Sequence, residues 1–160
     1  MLRIFPLITA LVLLLVGTAH GEELSIDPPD GTELWKSLHA KVDDSSGASL
    51  FLFSDPEGKL SGVAVSSKNG SERSRKTLDL GGATKDAAER VMLEDFDLDQ
   101  HLEAMVFLRS GEDLNLLAWE WVGTSIFTEP EAGGWLTALG GSTSDDAFDA
   151  LRSSINERKR

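Results

Sequence analysis

Between Ser49 and Val122 the chain is cut at intervals of roughly ten residues by turn-forming clusters, and that spacing is the rhythm of an antiparallel β meander. The clusters are Asp55-Pro56-Glu57-Gly58, Asn69-Gly70, Gly81-Gly82 and Ser110-Gly111-Glu112-Asp113. Segments this short favour strands over helices. Ser49–Phe53 is an apolar run. Leu60–Ser66 alternates, with Leu60, Gly62, Ala64 and Ser66 on one face and Val63 and Val65 on the other. Asn69-Gly70 supplies the positive φ angles of a tight hairpin. Arg73–Leu80, Val91–Leu93 and Leu102–Leu108 are further strand segments. Leu114–Val122 is apolar on both faces, as a central strand is. Trp119 and Trp121 are expected on opposite sides of it, one in the core and the other exposed or covered.

The segments on either side differ. Glu22–Asp30 is polar and carries Pro28-Pro29, an extended leader. Beyond it, Leu34, Trp35 and Leu38 fit either a two-turn helix capped by Asp30 or Thr32, or a strand. After Thr128, Glu129–Gly134 and Gly140–Ser144 are loop-like. Thr143 or Ser144 then caps a predicted Asp145–Lys159 helix, with Asp145 and Asp146 at its positive end and Arg158-Lys159-Arg160 at its negative end. Phe148, Leu151 and Ile155 form a stripe that would dock it on the sheet. The expected fold class is therefore α+β: a mainly antiparallel, single-blade-like meander of about five strands with a packed C-terminal helix. The organisation is 1–21 signal peptide, 22–48 leader and short element, 49–128 β domain, and 129–160 loop and helix. No internal repeat is long enough for a full propeller or solenoid.

Export is read from the N-terminus. Arg3 precedes Ile4–Val16, a run broken only by Pro6 and Thr9, and Ala19-His20-Gly21 is a small-x-small cleavage pattern. Cleavage after Ala19 fits almost as well. The run is short of the about 20 residues of a membrane span, so a cleaved signal is expected over an uncleaved anchor, and the product is periplasmic or secreted. Removing residues 1–21 takes away one Arg and moves the net charge from −12 to −13 over the remaining 139 of 160 residues. Such a surface repels nucleic acid and anionic lipid and favours cations or basic partners. The chain has no Cys, which excludes disulfides, thiolate metal sites and cysteine nucleophiles. Its 41% hydrophobic residues and four Trp supply a core.

One stretch carries candidate chemistry: Asp95-Phe96-Asp97-Leu98-Asp99-Gln100-His101-Leu102-Glu103. Asp95, Asp97 and Asp99 at loop positions 1, 3 and 5, and Glu103 at position 9, turn alternate oxygens toward one centre. Calcium takes 6–8 such oxygens. His101, at position 7, would give its backbone carbonyl rather than its ring. Gln100 stands at position 6, where Gly normally provides a positive φ; a non-Gly residue there costs about 1 kcal/mol and lowers affinity. The alternative is a solvated acidic turn without an ion. Elsewhere, Ser66-Ser67-Lys68 makes no Ser–Lys dyad motif, Gly81-Gly82 lacks the Lys and helix of a phosphate loop, and His39 and His101 are lone histidines. No catalytic constellation emerges, so a binding protein is favoured over an enzyme or a structural envelope protein.

Val91–Val106, in its strand, Asp-Phe-Asp-x-Asp-x-x-x-Glu, strand layout, resembles the calcium-blade loop of the FG-GAP and VCBS families. Ser49–Trp121, about half of the mature chain, also resembles single-blade periplasmic proteins, among them I-type lysozyme inhibitors and immunity proteins against lysozyme-like effectors. The shared features are the hairpin of short strands, the Thr77–Gly82 step, the Glu94–Asp99 loop and a final Trp-containing strand. The resemblance implies a calcium-stabilised binding protein whose partner is a basic exported protein such as a cell-wall hydrolase. Contacts are expected from Asp43–Gly47, Ser67–Ser74 and Ser110–Asp113 at one end of the sheet. The family's Ser-Gly-x-x-x-Tyr inhibitory loop is missing: there is no Tyr, and Ser46–Phe51 echoes it loosely.

Overall fold

The computed structural model describes residues 24–96 and 98–128, with seven further positions between 145 and 157. Wherever the sequence alternates or runs apolar between turns, it forms a strand: β1 (Glu33–Lys41), β2 (Ser46–Ser54), β3 (Leu60–Lys68), β4 (Ser71–Leu78), β5 (Ala88–Glu94), β6 (Leu102–Ser110), β7 (Asp113–Val122) and β8 (Ser125–Thr128). These make two four-stranded antiparallel sheets, each with its strands in sequential order, β1 to β4 and β5 to β8. Of the two readings of Leu34–Leu38, the strand is the one adopted. The β3–β4 turn is the expected Asn69-Gly70, with φ of 54° and 74°, matching the right-handed twist of the flanking strands.

The two sheets pack face to face. Ala48, Leu50 and Leu52 of β2, Leu60 and Ala64 of β3, and Leu78 of β4 meet Ala104, Val106 and Leu108 of β6 and Trp119 and Trp121 of β7 in one buried cluster. Each large apolar side chain so buried contributes about 1.5–3 kcal/mol, which makes this interface the main source of stability. The second strands of the two sheets present matching inward series, Ala48-Leu50-Leu52 and Ala104-Val106-Leu108. The chain thus forms two sequential four-stranded meanders that pack on each other. Trp121 Nε1–H donates across the interface to the Val65 carbonyl at 3.2 Å. The hydroxyls of Ser66 and Ser74 donate to the carbonyls of Gly123 and Thr124 in the β7–β8 turn. The link from β4 to β5 is tied to both sheets, since Leu60 N–H donates to Ala83 O at 2.8 Å and Arg109 N–H to Ala87 O at 2.8 Å. On the far side of the first sheet, Leu24 and Ile26 of the leader cover Phe51, Phe53 and Val65.

Three expectations are corrected. The α+β class gives way to an all-antiparallel β architecture: the described residues form two four-stranded antiparallel sheets, with no helical element among them. Phe148, Leu151 and Ile155 lie outside the described residues. Of that segment, Asp145 pairs with Arg90 at 2.6 Å and Arg152 with Glu94 at 3.4 Å, both on β5. The single meander of about five strands is two sheets of four, because strands after residue 88 pair among themselves and not with β4. Trp119 and Trp121 do not diverge. Residues two apart on a strand share a face, and both rings enter the same core, 3% and 0% exposed.

Candidate metal centre

The β5–β6 connection, Asp95 to His101, is folded by its own carboxylates. Asp95 Oδ1 accepts the Asp99 N–H and Oδ2 accepts the Gln100 N–H, both at 3.1 Å. This wrap turns the backbone sharply, and Leu98 and Gln100 take φ of 62° and 77°. Gln100 therefore has the left-handed conformation anticipated for loop position 6. Glu103, the first β6 residue to be fully buried (3% exposed), accepts the Phe96 N–H at 2.6 Å. Phe96 itself is fully buried and anchors the loop. Ordinary Asx chemistry thus explains much of the shape, since carboxylates that accept backbone N–H groups make strong, charge-assisted bonds.

The same folding gathers negative charge. One oxygen each from Asp95, Asp99 and Glu103 lies within 4.8 Å of the others. Like charges at that distance repel by about 1–3 kcal/mol per pair between water-like and surface dielectrics; bonds from N–H groups offset part of this, and a cation would offset more. Of the five residues singled out in the sequence, these three converge, and Asp97 lies outside the described residues. His101 is close by, and its ring makes contacts of its own. Its ring Nδ1 lies 2.9 Å from Glu120 Oε1 and 3.2 Å from Asp99 Oδ2. The hydrogen bond to Glu120 is the largest cause that raises its pKa above the ordinary 6.5; desolvation, next in size, opposes it, and the charges of Asp99 and Glu120 add to the rise. Glu120 is the residue that sequence reasoning missed. Only the pairing of Glu103 with Glu120 across β6 and β7 brings it to the loop.

The loops anticipated as contacts divide between the two ends of the molecule. Asp43–Gly47 and the Asn69-Gly70 turn are adjacent, with Asn69 N–H donating to Ser45 O at 2.6 Å. The Gly123-Thr124 turn joins them through Ser66 and Ser74. The acidic loop belongs to this end too, because Leu102 pairs with Trp121 just before that turn. Ser110–Asp113 closes the other end of the β6–β7 pair, so it is not part of the same surface. A cleft of about 540 Å³ opens beside the β1–β2 hairpin, lined by Leu24, Lys41, Asp43, Asp44, Ser67 and Asn69 among others. His39 at its margin donates to or accepts from Ser49 Oγ at 2.9 Å and meets the edge of Phe51, with centroids 5.4 Å apart. Ser49 is only 4% exposed, so this pair is packed against the sheet rather than presented as a nucleophile and base.

No protein family, no curated protein and no solved structure matches this chain.

Proposed function

We infer that the protein is an exported, non-catalytic binding protein whose acidic loop end engages a basic exported partner. The partner class we favour is a lysozyme-like cell-wall hydrolase, which this protein would inhibit or to which it would confer immunity. In this reading calcium occupies the Asp95, Asp97, Asp99 and Glu103 loop, with the His101 backbone completing it, and stiffens one edge of the contact surface. The observation that carries the reading is the gathering of the Asp95, Asp99 and Glu103 carboxylates within 4.8 Å at the end where Asp43 and Asp44 also project. Surface loops held by a rigid scaffold are where binding residues concentrate. Lytic enzymes that work on an acidic wall are often basic, and opposite charge accelerates encounter.

The test has two arms. Calcium is titrated into metal-free protein by calorimetry with parallel thermal melts; a site that binds should stabilise the fold by about 2.7 kcal/mol at a hundredfold excess over its dissociation constant. Lytic activity of exported hydrolases, including any encoded beside this gene, is measured with and without the protein. Absence of inhibition at micromolar concentration ends the hydrolase reading. A second reading, a structural or accessory envelope protein with no metal, is favoured by one observation: Asp95 and Glu103 already accept backbone N–H groups. No heat and no shift at millimolar calcium would select it.

A further inference from the structure

We propose that Asp99, His101 and Glu120 form a site for a borderline divalent transition cation, zinc being the best fit, next to the calcium loop and sharing Asp99 with it. The inference does not depend on calcium binding. It starts from the donor set, one imidazole nitrogen and two carboxylate oxygens, which suits zinc and its neighbours far better than calcium, a cation that takes oxygen alone. The donors come from two elements, Asp99 and His101 from the β5–β6 loop and Glu120 from β7, so a bound ion would pin the loop to the sheet.

Geometry supplies the second argument. Nδ1 of His101 is 2.9 Å from Glu120 Oε1 and 3.2 Å from Asp99 Oδ2, and the donor atoms of all three residues lie within 4.8 Å of one another. Zinc bound at about 2.0–2.2 Å to nitrogen and oxygen in a tetrahedron sets its ligands about 3.3 Å apart. Both nitrogen–oxygen distances are within a few tenths of an ångström of that value. The cation would therefore take the place of a proton on Nδ1, which leaves to solvent, while the Asp99 and Glu120 oxygens, within 4.8 Å of each other, close on it. Asp99 is already oriented for this, because its Oδ1 accepts the His101 N–H at 2.9 Å while Oδ2 faces the ring. Such outer bonds hold a ligand in place before the metal arrives. The side chains remain 39%, 33% and 22% exposed for His101, Asp99 and Glu120, which leaves the fourth position open to water.

The experiment titrates zinc chloride into metal-free full-length protein by calorimetry, with cobalt as a visible-absorption probe of tetrahedral nitrogen–oxygen coordination. One equivalent at micromolar affinity, with cobalt bands intensified as in a tetrahedral site, is the expected result. His101→Asn and Glu120→Gln should each weaken zinc by about tenfold or more, and Glu120→Gln, a change outside the calcium loop, should leave the calcium response unchanged. Asp95→Asn should weaken any calcium response and leave zinc unchanged. Zinc heat that survives His101→Asn would overturn the proposal, since it would mean loose binding to an acidic surface. Absence of zinc binding would overturn it as well, and in either case the calcium titration is read separately, so failure here is distinguishable from failure of the calcium loop. Circular dichroism of each variant separates lost ligands from lost fold.

Discussion

Gln100 is the residue at which backbone strain and the candidate centre meet. Its φ of 77° is imposed by the bond from its N–H to Asp95, and an L side chain is strained there. Gln100→Gly should therefore raise both thermal stability and calcium affinity, by no more than about 1 kcal/mol, because relief of strain is partly offset by a freer unfolded chain. Melts with and without calcium check this, and an unchanged midpoint in both would show that the strain is absent. Asp43 makes the matching prediction for acid. Its Oδ1 accepts the N–H groups of Ser45 and Ser46, each at 2.7 Å, and the Ser45 hydroxyl at 3.0 Å. These bonds, the Ser45 N–H foremost, hold its carboxyl below the ordinary 3.8. A depressed carboxyl stabilises the fold above its unfolded pKa and loses that contribution as pH falls through the folded value. Asp43→Ala should lower the melting temperature at neutral pH, and the gap to wild type should close well below pH 3.8. At this scale the loop pattern was legible, including the left-handed position 6. Glu120 was not, since nothing in its own neighbourhood marks it.

Among the elements, β7 carries the clearest consequence. It is interior to its sheet, and it delivers Trp119 and Trp121 to the interface between sheets. Trp121→Phe keeps an aromatic ring but removes the donor to the Val65 carbonyl and leaves unfilled volume. The expected loss is about 1–3 kcal/mol, read as a lower urea midpoint with an unchanged slope. A loss below 0.5 kcal/mol, taking about 1 kcal/mol as the norm for such a bond, would show that water or a shifted ring replaces it. The strand segments after Ser49 and their turns could be read from alternation and turn chemistry, because both are local properties. The helix expected at 145–159 rested on local signals as well, a cap, end charges and an apolar stripe. What it was meant to cover, however, depends on which strands pair, and that is a non-local property. β1 shows the same limit: Leu34, Trp35 and Leu38 suit two periodicities, and only pairing with β2 decides between them.

For the molecule as a whole, the net charge of −12 makes one prediction about association. Binding to a basic hydrolase should slow and weaken as salt rises, because exposed charges are screened beyond about 8–10 Å near physiological ionic strength. Association rates at low and high salt test this, and a salt-independent rate would remove electrostatic steering from the proposal. The pairing of two four-stranded sheets is the larger surprise at this scale. Ala48, Leu50 and Leu52 on the second strand of one sheet and Ala104, Val106 and Leu108 on the second strand of the other enter the same core. By itself the sequence determined the presence of strands, the Asn69-Gly70 hairpin, the acidic loop and its strained sixth position, because each depends on residues a few positions apart. Only the tertiary structure decided that the strands divide into two facing sheets, that both Trp side chains share one core, and that Glu120 meets His101. Those outcomes depend on strand pairing and on which apolar faces can bury each other, and that choice is made by the free energy of the whole core rather than by any single segment.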